Sequence, residues 1–180
     1  MIPPLYIDGF TLGQMADIEE RLCSNVGSPL YLLRDDERLV DTIARDVVTV
    51  SDLGTTCVDL AHGLSNLLSN IPESREAIIG KYAFRRLPWD QIHVCPFGGY
   101  ECDISTVFYR VSYRNPTKIS EVPFTISAQM PHLIKHHQFF GGSTPNRADP
   151  IVIADILSTI DFRIRAHAPK DDARLNRSVG

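Results

Sequence analysis

The feature that most constrains the fold is a change of period part-way along the chain. Up to residue 68, apolar side chains recur every three or four residues. Leu12, Met15, Ile18 and Leu22 form one set, Leu39, Val40, Ile43, Val47 and Val50 a second, and Leu60, Leu64, Leu67 and Leu68 a third. Beyond Trp89 they alternate, first through Val107, Tyr109, Val111 and Tyr113, then through Val122, Phe124, Ile126 and Ala128. The first spacing lays apolar groups along one helix face, and the second along one strand face. Helices followed by consecutive strands give an α+β chain with an antiparallel sheet.

Local signals set the expected boundaries. Thr11, Thr56 and Asp149 stand where N-caps belong, and Asp35 or Asp36 fits the start of the second helix. "IPESREAIIGKYAFRRL" reads as a fourth helix, with Pro72 in its first turn and Glu73 and Glu76 at its positive end. "IHVCPFGGYECDI" reads as a hairpin turning at Gly98-Gly99. Pro123 suits an edge strand or a bulge, since it has no N–H to donate to a ladder. Asp149-Pro150 opens a last helix, and "RIRAHA" fits a short strand. The expected architecture is a helical N-terminal half, an antiparallel sheet and a C-terminal helix. Residues 1–166 form one globular domain, and 167–180 a polar tail.

Composition narrows the function classes. Of 180 residues, 43% are apolar and 22% charged, enough for a core without cross-links. Charges or breakers interrupt every apolar run before it reaches membrane-spanning length. The first residues lack a basic segment followed by an apolar one, so a cytoplasmic protein with reduced thiols is expected. Residues 1–62 carry 11 acidic and 4 basic side chains, whereas residues 63–180 carry 11 acidic and 14 basic. Neither part is basic enough for a nucleic-acid surface. The opposite signs suit head-to-tail contact between copies, or contact with other protein subunits.

Two constellations carry chemistry. In "SDLGTTCVDLAHGLSNLL", Thr56 caps a helix that Cys57 opens. Amides at a helix start favour the thiolate, although Asp59 nearby opposes it. A cysteine opening a leucine-rich helix over residues 54–68 resembles the papain-like and transglutaminase-like hydrolase cores. That resemblance implies a nucleophile at Cys57, a base at His136 or His137, and an orienting group at Asn146 or Asp149. His62, five residues along the same helix, points roughly 140° away and cannot serve.

The second is "HVCPFGGYEC". A two-residue turn at Gly98-Gly99 would pair Cys95 with Cys102 and put His93 on the same face. Buried thiols, a cross-strand disulfide, or a zinc site built from His93, Cys95 and Cys102 then remain open. The fourth ligand would come from His132, His136 or His137, with His136 the preferred donor. Zinc is the one cofactor that these residues offer. Phe97, Gly98, Gly99 and Tyr100 would form an aromatic tip suited to docking another protein. Arg85-Arg86 could meet an anion or simply face water.

No complete catalytic set emerges from the sequence. The favoured reading is a non-catalytic structural or interaction subunit of a larger assembly, such as a viral or phage component. A small cysteine hydrolase using Cys57 is the alternative.

Overall fold

The computed structural model describes residues 9–24, 31–73, 76–98, 105–115 and 123–167, with the backbone alone for 89–93, 105–106 and 161–167. Helix α1 (Leu12–Cys23) starts at a capping box. The Gln14 amide donates to Thr11 Oγ1 at 3.3 Å, and the Thr11 amide to Gln14 Oε1 at 2.8 Å. Its buried side is Met15, Ile18 and Leu22, three of the four stripe residues expected from the period, while Leu12 in the first turn is exposed.

Helix α2 (Leu39–Asp52) begins differently from the expectation. Neither Asp35 nor Asp36 caps it, and its N-cap residue is Arg38, which makes no side-chain cap bond. Asp36 instead pairs with Arg34. The cap comes from another helix: Glu19 of α1 accepts from the Leu39 amide at 2.8 Å and from Arg38 Nε at 3.1 Å. A carboxylate at a helix N-terminus satisfies a free amide and the helix dipole together, whatever its origin in the chain. Helix α3 (Cys57–Ser69) starts as expected, with the Asp59 amide donating to Thr56 Oγ1 at 3.1 Å.

The expected fourth helix is a hairpin. Strand β1 (Ala77–Ile79) pairs with β2 (Tyr82–His93), with Ile79 opposite Tyr82. Only Gly80 and Lys81 remain between them. Gly80 has φ 57°, the conformation that a two-residue hairpin turn asks of glycine at its first position. Strands β3 (Ser105–Tyr113) and β4 (Phe124–Ser127) complete an antiparallel sheet of order β1-β2-β3-β4. Pro123 thus immediately precedes an edge strand. The inner face carries Tyr82, Phe84, Tyr109, Val111 and Ile126, all buried.

Helix α4 (Met130–His137) ends where Gln138 turns left-handed at φ 54°. Helix α5 (Pro150–His167) opens at Asp149, whose Oδ1 accepts from the Ile151 amide at 2.9 Å. It runs through the start of "RIRAHA", so residues 163–167 are helical and not a strand, because the helix simply continues. Residues beyond 167 lie outside the described residues. Helix α3 packs against both α4 and α5. One core of leucine, isoleucine, phenylalanine and methionine side chains joins the helices to the inner face of the sheet. The α+β architecture is therefore as the period change predicted. Among the described residues, no helix is long and apolar enough to cross a membrane.

Candidate functional site

The chemistry-bearing groups meet where the end of β2 reaches α4. After β2 the chain turns at Pro96-Phe97, closed by the Gly98 amide donating to the Cys95 carbonyl at 3.1 Å. Proline fixes φ for the second position of such a turn. A turn therefore lies two residues before Gly98-Gly99, and the rest of the connection to β3 lies outside the described residues. The β2–β3 ladder also slips between Pro88 and His93, so that His93 faces Ser105. The expected hairpin would have put Ile104 there.

The turn folds Cys95 and Phe97 back onto α4. Cys95 is buried, with Sγ 3.5 Å from His137 Nε2. The Phe97 and His137 rings stack at 4.1 Å with planes 3° apart. Phe97 also meets Phe10 and Phe139, and only 4% of its surface is exposed. It is thus a core residue and not part of an exposed tip, because the early turn directs it inward. Gly98 closes the turn at φ 81°. Gly99 and Tyr100 lie outside the described residues.

Donor atoms of Cys95, His132 and His137 lie within 4.8 Å of one another. Both imidazoles are half-buried. His132 and His136, one helical turn apart, look like the natural pair in sequence. In the fold His136 is exposed, its ring 4.8 Å from that of His132, and His137 is the one that meets the thiol. Of the expected zinc set, Cys95 is in the cluster. The side chain of His93 and all of Cys102 lie outside the described residues, and so does the expected Cys95–Cys102 pairing.

The second constellation is placed at the start of α3. Cys57 opens the helix and is half-buried. Burial raises its thiol pKa, the Asp46 charge adds to this, and the local amide opposes without prevailing. The expected lowering by the helix start is thus reversed by desolvation. Among the described residues no imidazole hydrogen-bonds Cys57. The two candidate orienting groups have other work. Asn146 donates from Nδ2 to the Tyr31 carbonyl at 3.0 Å. Asp149 caps α5 and accepts from Arg147 Nε at 3.2 Å.

Two features were not visible in the sequence. A groove of about 900 Å³ runs between α3, β1 and α5, lined by Leu60, Leu67, Ile79 and Leu157, with Asp59 the one ionisable group lining it among the described residues. The other is on the outer face of the sheet. Period-two alternation separates the neighbours Arg85 and Arg86: Arg86 pairs with Glu73, while Arg85 faces out, directly opposite Arg110 on β3. Both outward arginines are exposed, and neither makes an ion pair with a described residue.

Comparison with known proteins assigns no family: no family model matches the chain, and neither a curated protein nor a solved structure is significantly similar to it.

Proposed function

We propose that this chain is a non-catalytic structural subunit that associates with further copies of itself, in the cytoplasm or built into a particle such as a virion. The observation that carries this reading is the Arg85–Arg110 pair. Like charges directly opposed across an antiparallel ladder destabilise the sheet unless an anionic surface meets them. The acidic surplus of residues 1–62 supplies such a surface on a second copy. An acidic helical face docking on a cationic sheet face is a head-to-tail contact, which builds rings or filaments. The use of Asn146 and Asp149 in holding the fold, and the raised thiol pKa of Cys57, weigh against the hydrolase alternative.

Sedimentation velocity of the whole chain, over a range of concentrations, tests this. Species heavier than the monomer are expected at low salt. They should dissociate as the screening length falls from about 10 Å at 0.1 M to about 3 Å at 1 M. The double charge reversal R85E/R110E should leave monomer while keeping the unfolding midpoint. A strict monomer at low salt and high concentration overturns the proposal. So does association that the double reversal leaves unchanged.

A further inference from the structure

We infer that Cys95, His132 and His137 together bind a zinc ion. The inference goes beyond the association proposed above and does not depend on it. Three observations converge on it.

The first is distance. Zinc bonds of about 2.3 Å to sulfur and about 2.0–2.1 Å to imidazole, at tetrahedral angles, hold sulfur and nitrogen about 3.6 Å apart. Cys95 Sγ and His137 Nε2 are 3.5 Å apart. One edge of the coordination tetrahedron is already at its working length. Two imidazole nitrogens on the same ion lie about 3.4 Å apart. All three donors fall within 4.8 Å, so His132 closes the site with a ring movement of no more than about 1.5 Å.

The second is chemistry. One thiolate and two imidazoles form a borderline-soft donor set that suits zinc and disfavours calcium or magnesium, which require oxygen. On binding, the Cys95 thiol gives its proton to solvent, the sulfur–zinc bond forms, and both imidazoles coordinate in their neutral form. The fourth position takes water or one further donor.

The third is support around the donors. Phe97, stacked flat on His137 and buried, holds that ring in the plane in which Nε2 faces the sulfur. Fixing a ligand ring by its neighbours pre-orients the donor and adds to the affinity that the metal–ligand bonds supply. Cys95 comes from the end of the sheet, and both histidines come from α4, more than thirty residues later. The ion therefore ties the β2–β3 side of the molecule to the helical layer.

The test uses the full chain, reduced and stripped of metal with a chelator, then titrated with cobalt(II) and with zinc alone. The wild type is expected to bind one equivalent. Cobalt should give a thiolate charge-transfer band together with the visible bands of tetrahedral geometry, and zinc should abolish both. Melting temperature should rise with zinc concentration. C95S should lose the charge-transfer band, and H132N should weaken zinc binding at least tenfold. H136N should bind as the wild type does. Metal-free melting curves of each variant separate loss of a ligand from loss of the fold. Because His132 is only half-buried, H132N decides the matter even if C95S fails to fold. Absence of a thiolate-to-cobalt band in the wild type overturns the inference, as does unchanged zinc affinity in H132N.

Discussion

Replacing Arg147 with methionine should be among the most damaging single changes in this chain. Arg147 reaches Asp46 of α2 through two hydrogen bonds, Nη1 to Oδ2 at 2.9 Å and Nη2 to Oδ1 at 2.7 Å. It also donates to the Gly141 carbonyl and to Asp149, the cap of α5. The Asp46 side chain is 1% exposed and that of Arg147 17%. Arg45, the other cation near Asp46, is half exposed and contacts it at 3.3 Å. Removing the Arg147 guanidinium thus strands a fully buried carboxylate with one solvent-screened neighbour. Charges about 4 Å apart at an effective dielectric near 20 attract by about 4 kcal/mol. Breaking a buried pair from one side generally costs about 3–5 kcal/mol. The two figures agree, and together they set the expected loss for R147M. For a chain of this length it lowers the melting temperature by about 10 °C. The double variant D46L/R147M removes both charges and should recover most of the loss, since an apolar replacement of a buried pair is often neutral. Urea unfolding followed by circular dichroism reads both variants, through a change of midpoint at constant slope. A loss below about 1 kcal/mol for R147M would refute the reasoning, because water would then be reaching Asp46. A double variant no more stable than R147M would refute it equally.

Two further predictions concern single ionisable groups. Burial opposes ionisation of Glu37, but hydrogen bonds from the Ser143 hydroxyl and amide and from the Arg34 amide outweigh it and hold the carboxyl below its ordinary value. A lowered folded-state pKa means stability that is full above about pH 4.3, the unfolded value, and is lost as pH falls through the folded value. The wild type should exceed E37Q in stability at neutral pH, with the gap closing on acidification below about pH 4.3; a gap that is constant across that range contradicts the assignment. Cys57 should alkylate slowly with iodoacetamide at neutral pH, by peptide mass mapping, and accelerate only above the usual thiol range of about 8.5. Fast labelling at pH 7 would restore Cys57 as a nucleophile candidate.

Much of the helical layer is legible in the sequence. The stripes Met15–Ile18–Leu22 and Leu60–Leu64–Leu67–Leu68 are buried as their spacing requires. Thr11, Thr56 and Asp149 cap the helices they precede. Segment 71–87 was not legible, because Ala77, Ile78, Ile79, Ala83 and Phe84 satisfy a helical stripe and a strand face equally well. The decision fell to Gly80, whose positive φ lets the chain reverse and pair Ile79 with Tyr82. The candidate site was half legible. The sequence offers Cys95 and the histidines of 132–137 as donors, but the choice of His137 over His136 depends on the direction from which Cys95 arrives. That direction is set by the turn at Pro96.

The sequence by itself determined that a helical layer precedes an antiparallel sheet, much of the apolar faces of α1 to α3 and three of the helix caps, because each depends on groups a few residues apart. Tertiary structure decided which distant groups meet. Glu19 caps a helix twenty residues on, Asp46 pairs with Arg147, and Cys95 lies against His137. No local period encodes such meetings, since they exist only once the helices have packed on the sheet and fixed where each side chain points.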